Sequence, residues 1–157
     1  MAESSFCVFS YTCGRCGEVF TGLDKGGGDY GQLTARSAGT GRLIFIDALA
    51  DPVFDDVGLL VREVLAEGGF HLDDRALGTA AQRAFSAACD PDADGTPFVI
   101  GALPRCPACA AAPRSWEHTG EHEVHDVHGP SHRQWSALPA SQQRDAMREA
   151  VMDFLSE

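Results

Sequence analysis

The sequence predicts an α+β protein, and three patterns carry that expectation. Short aromatic and β-branched runs flank two Cys-x2-Cys pairs set far apart, two segments with an amphipathic helical period fill the middle, and a third such segment closes the chain. At 157 residues the chain suits a single domain, 1–157, with a core of its own. Apolar residues at 44% and charged residues at 22% are ordinary globular values, which argues against wholesale disorder.

Residues 6–11 are aromatic and β-rich, and residues 18–21 resume that character, so Cys13 and Cys16 are expected at the tip of a hairpin. The stretch 22–41 is crowded with glycine and has no period, which predicts a loop or linker. Residues 43–46, LIFI, are continuously apolar, the pattern of a strand buried on both faces.

Two helices are expected next. Asp55 or Asp56 can cap the first, whose stripe is Val57, Leu60, Val61, Val64 and Leu65, ending at Gly68-Gly69. The second begins near Asp73, places Leu77, Ala80, Ala81, Ala84, Phe85 and Ala88 on one face, and stops at Asp90-Pro91. A turn and a short strand, PFVIG, lead to the second cysteine pair. The run RSWEHTGEHEVHDV then reads as a hairpin turning near Thr119-Gly120. The last helix is expected over 139–156, with Met147, Ala150, Val151, Phe154 and Leu155 as its inner stripe.

Cys13, Cys16, Cys106 and Cys109 form the strongest chemical signal. Two-residue spacing lets both sulfurs of a pair turn toward one ion, and four thiolates complete the tetrahedron a structural zinc prefers. A redox dithiol would be expected at the start of a helix, where the helix dipole lowers a thiol pKa. Neither pair precedes a helical pattern. With four protein ligands the ion keeps no position open for water, so such a zinc is structural and not catalytic.

On these residues the chain resembles zinc-ribbon proteins: TCGRCGEVF is similar to a first knuckle and PRCPACAAA to a second. The resemblance covers residues 6–22 and 97–128. It implies a zinc-bound β-sheet built from both of those segments, with residues 42–96 as an α/β insertion. The chain departs from the pattern at Ala110, where a glycine often follows the last cysteine.

Five histidines cluster in EHTGEHEVHDVHGPSH. Within it, His118 to His122 matches His-x-x-Glu-His, a zinc-protease motif that works on a helix, whereas Gly120 favours a hairpin. His118, His122 and His125 are candidates for a second metal, and a zinc-dependent hydrolase is one alternative function. Asp90, Asp92, Asp94 and Gly95 imitate half of a calcium loop, but Gly101 stands where the bidentate glutamate belongs, so a turn is expected. Cys7 and Cys89 are read as small buried groups, and Trp116 and Trp135 as core or core-edge residues.

The net charge of −11 opposes phosphate backbones and anionic membranes. Residues 47–94 carry 11 acids against 3 arginines. Asp51, Asp55, Asp56, Glu63, Glu67, Asp73 and Asp74 are therefore candidates for a surface that docks a basic protein. No run approaches the length of a membrane span, and MAESSFCVF carries an acid where a secretory signal has positive charge, so a cytoplasmic location is expected. The expectation is a small acidic zinc-binding protein, non-catalytic, acting on a basic protein partner, for instance as an immunity or antagonist protein. A nucleic-acid-binding or transcription/translation accessory ribbon is the other alternative.

Overall fold

The computed structural model describes residues 2–25 and 30–157. Gly26–Asp29, part of the expected loop over 22–41, lie outside the described residues. The architecture is mixed α and β, with two three-stranded antiparallel sheets and four helices. By contacts the chain divides into two compact units, Met1–Asp47 with Asp92–Gly129, and Ala48–Pro91 with Pro130–Glu157.

The first unit holds both sheets. Strands β1 (Ala2–Cys13), β2 (Val19–Asp24) and β6 (Pro113–Val127) form one, in the order β2-β1-β6. Strands β3 (Gln32–Ser37), β4 (Leu43–Asp47) and β5 (Phe98–Ile100) form the other, in the order β4-β3-β5. Their buried apolar residues include Phe6, Val8, Tyr11, Ala35, Ile44, Ile46 and Phe98.

Three expectations about the strands are corrected here. The stretch read as loop contains β3, the central strand of its sheet, whose buried Thr34, Arg36 and Ser37 are polar and give no apolar alternation. Their groups are satisfied from a distance: Thr34 Oγ1 donates to Asp24 Oδ1 at 2.7 Å, the Arg36 guanidinium to the carbonyls of Leu23 and Ala102, and Ser37 Oγ pairs with Thr96 Oγ1 at 2.6 Å. The strand at 43–46 is an edge strand, with Ile44 and Ile46 buried on one face and Leu43 and Phe45 only half-buried on the other, where the Lys25 ammonium lies over the Phe45 ring.

The third correction concerns residues 113–127. They form one continuous strand and not a hairpin. Gly120, at φ 86°, supplies a bulge: Cys7 pairs with His122 and Phe9 with His118, so Val8 alone opposes Thr119, Gly120 and Glu121. Thr119 Oγ1 donates to the Val8 carbonyl at 2.8 Å and pins the bulge.

The second unit is helical. Helix α1 (Pro52–Glu67) buries Val57, Val61, Val64 and Leu65, the expected stripe except for half-buried Leu60. Its cap is Asp51, accepting from Val53 N at 3.0 Å, and not Asp55 or Asp56. Pro52 at the first helical position explains the shift, since proline is pre-set for that site and has no N–H to leave unpaired. Helix α2 (Asp74–Phe85) starts from Asp73, which caps it by accepting from Ala76 N at 2.8 Å, and a 3-10 turn, Ser86–Ala88, continues it.

A short helix α3 (Arg133–Ala137), too brief to show a helical period in the sequence, precedes α4 (Ala140–Leu155), which closes the chain. The Asp90 carboxylate accepts from the N–H groups of Arg133 and Gln134, which starts α3 where its own flanking residue supplies no cap. Phe85, Trp135, Met147 and Val151 fill the core of this unit. Each large apolar side chain so buried stabilises by about 1.5–3 kcal/mol relative to exposure. No helix among the described residues is long and apolar enough to cross a membrane.

Candidate metal centre

Strand β1 ends at Cys13 and β6 begins at Pro113, so antiparallel pairing brings both cysteine turns to the same end of one sheet. The two turns share a plan. The Cys13 N–H donates to the Glu18 carbonyl at 2.8 Å, and the Cys106 N–H donates to the Ala111 carbonyl at 2.9 Å, each five residues on. The Gly14 N–H bonds the Ala112 carbonyl at 3.0 Å and ties one turn to the other.

The four sulfurs converge: those of Cys13, Cys16, Cys106 and Cys109 all lie within 4.8 Å of one another. Cys13 and Cys109 sulfurs are 3.4 Å apart and those of Cys16 and Cys106 are 3.6 Å apart. A disulfide needs about 2.05 Å. A tetrahedron with bonds of about 2.3 Å has edges of about 3.8 Å, so the spacing fits four thiolates on one zinc-sized ion. The donor set and its geometry agree.

Backbone amides support the sulfurs. Arg15 N and Cys16 N donate to Cys13 Sγ at 3.3 and 3.5 Å, and Ala108 N donates to Cys106 Sγ at 3.4 Å. These bonds disperse thiolate charge. The amides of Cys16 and Arg15 hold the Cys13 thiol down at about 6. The Glu18 amide lowers Cys16 too, but the Cys106 thiol, burial and the remaining sulfurs outweigh it and push Cys16 up to about 12. Cys13 and Cys106 are buried and Cys16 faces solvent.

The histidine tract is divided by the sheet. Register places His118 and His122 on one face of β6 with Cys7, while His125 pairs with Ser4 on the other face and packs against Phe6. His125 therefore leaves the candidate set and Cys7 joins it. The ligand atoms of Cys7, His118 and His122 lie within 4.8 Å of one another. Reading Cys7 alone as a small apolar group hid this, and only its pairing with His122 across β1 and β6 could have shown it.

His132 serves another purpose: Nδ1 lies 2.6 Å from the Ala88 carbonyl and Nε2 2.8 Å from Asp51 Oδ2, bracing the helical unit. Burial, with Asp51 and Asp90 nearby, pushes the Cys89 thiol up to about 12, which makes it a poor nucleophile. Trp135 is buried, as expected, whereas Trp116 is 51% exposed.

Of the acidic candidates, Asp51 and Asp73 are helix caps. Arg144 bridges Glu63 and Glu67, and Arg148 also reaches Glu67. Asp55, Asp56 and Asp74 are exposed, and their carboxylates make no ion pair or hydrogen bond among the described residues. A cleft of about 550 Å³ opens beside the second cysteine turn, lined by Arg36, Gly39, Thr40, Leu103, Arg105 and Ala110. In its wall Arg36 donates to the Leu23 and Ala102 carbonyls and Arg105 to the Ala110 carbonyl. In comparison with known proteins, no family model, curated protein or solved structure matches this chain.

Proposed function

We propose that this is a zinc-binding protein of the zinc-ribbon kind, in which Cys13, Cys16, Cys106 and Cys109 hold a structural ion and the molecule acts by binding another protein. The single observation that carries the reading is the convergence of four sulfurs at tetrahedral spacing. When bound, the ion would supply cross-linking and no chemistry, because all four positions are taken by protein. Zinc in such sites contributes on the order of 10 kcal/mol to folding at neutral pH. Residues distant in sequence are thereby joined at one sheet end.

Reduced thiolates suit a cytoplasmic compartment. The partner we propose is a basic protein, as an antagonist's target would be, recruited by the chain's net charge of −11. Within the acidic set, Asp55, Asp56 and Asp74 are the residues we assign to docking, since the others already serve as caps or in ion pairs. Nucleic acid is disfavoured by that charge.

Two experiments test this. Metal analysis of untagged protein should find one zinc per chain, lost in Cys106→Ser/Cys109→Ser. Capture from extract with the wild type and with Asp55→Asn/Asp56→Asn/Asp74→Asn should show a basic protein retained by the first and lost by the second. Equal capture by both, or tight binding to oligonucleotides at physiological salt, would overturn the partner assignment.

A further inference from the structure

We propose that Cys7, His118 and His122 form a second metal site of a different kind, open to solvent and taking a thiophilic ion, zinc(II) or copper(I). One thiolate and two imidazoles are a donor set selective for such ions. Three protein ligands leave a position for water or an outside ligand. The site does not depend on the four-cysteine centre.

The bulge in β6 builds it. In a regular strand residues four apart stand too far from each other to share an ion, yet here the step from Cys7 to Phe9 on β1 spans His118 to His122 on β6. The two rings consequently approach to 5.4 Å between centroids. Phe9 packs edge-on against His118 at 5.2 Å and holds that ring in place. His-x-x-Glu-His, which needs a helix to chelate in the protease motif, is brought together here by a glycine and a neighbouring strand.

Distances fit. Cys7 Sγ lies 3.7 Å from His122 Nδ1. A tetrahedral ion with bonds of about 2.3 Å to sulfur and about 2.0–2.1 Å to nitrogen separates those atoms by about 3.6 Å. Cys7 Sγ also lies 3.7 Å from the Lys25 carbonyl, to which the thiol donates. On metal binding the S–H bond breaks, its proton passes to solvent, and the sulfur lone pair forms the metal bond while His122 ligates as the neutral ring.

His118 supplies a reporter. Its Nδ1 accepts from the Gly120 N–H at 2.7 Å. If Nδ1 ligates, its lone pair is taken; if Nε2 ligates, Nδ1 must carry the ring proton. Either way Gly120 loses its acceptor, so the Gly120 amide signals occupancy from inside the bulge.

The test is a heteronuclear NMR titration of full-length protein already carrying one equivalent of zinc, with zinc(II) and copper(I) added in separate arms. A second equivalent should bind and shift the Gly120 amide, leaving the amides of Arg15 and Ala108 beside the four cysteines unmoved. Cys7→Ser and His122→Ala should each weaken it at least about tenfold, with the first zinc retained as proof of folding. Either ion giving this signature supports the site, and the tighter one identifies its cargo. No second equivalent bound at micromolar free metal, or binding that spares Gly120 or survives both variants, overturns it.

Discussion

Gly17 and Ala110 occupy the same place in the two cysteine turns, each one residue beyond the second cysteine, and both have positive φ, 75° and 62°. Ala110 is the one non-glycine residue among those described with such a φ. The equivalence explains why glycine is common there and gives the alanine a measurable cost.

Replacing Ala110 with glycine removes left-handed strain of about 1–2 kcal/mol and adds chain entropy worth about 0.5–1 kcal/mol. Ala110→Gly is expected to stabilise by about 0.5–1 kcal/mol in denaturant unfolding of the zinc-loaded protein. Gly17→Ala should destabilise by about 1 kcal/mol, through backbone strain alone, since an added Cβ meets nothing within 4 Å. Effects of the same sign in the two substitutions would contradict the shared geometry.

Zinc affinity should rise with pH. Thiols ligate as thiolates, and with Cys13 at about 6 and Cys16 at about 12 the quartet still holds protons at neutral pH that an ion must displace. Competition against a chromophoric chelator should show affinity increasing from pH of about 6 to about 8, and acidification below that range should release the metal. A flat profile would mean that the sulfurs are not the ligands.

Asp92 makes a separate, pH-dependent contribution. Its buried carboxylate accepts from Thr40 Oγ1, from the Ala93 amide at 2.9 Å and from Arg42 Nη1 at 3.1 Å. Thr40 first, then Ala93 and Arg42, hold it below the usual carboxylate range. A depressed folded pKa means stability that is present above the unfolded value of about 4 and lost as pH falls through the folded one. Asp92→Asn should therefore lower Tm by several degrees at pH of about 7, with the gap to wild type narrowing below about 4. A gap that widens in acid would reverse this assignment.

What the sequence disclosed follows from the range of each signal. The cysteine pairs and the stripes of α1, α2 and α4 are local periodicities, readable within a few turns of chain, and the structure forms the helices where those periods lie. Strand β3 was hidden because its buried residues are polar and are satisfied by Asp24, Leu23, Thr96 and Ala102, which only the fold brings near. In sequence the bulge at Gly120 looks the same as a hairpin turn, because both use a glycine at positive φ. What separates them is the 12-residue length of β1, long enough to pair along both sides of the bulge. Cys7 was missed for the same reason, since its relation to His122 exists only across paired strands.

Zinc K-edge X-ray absorption on protein loaded with one equivalent of zinc tests the central claim most directly. Four sulfur scatterers at about 2.3 Å, unchanged in His118→Ala/His122→Ala, are the predicted result. Imidazole or oxygen scatterers in that first equivalent would show that the four cysteines are not its site.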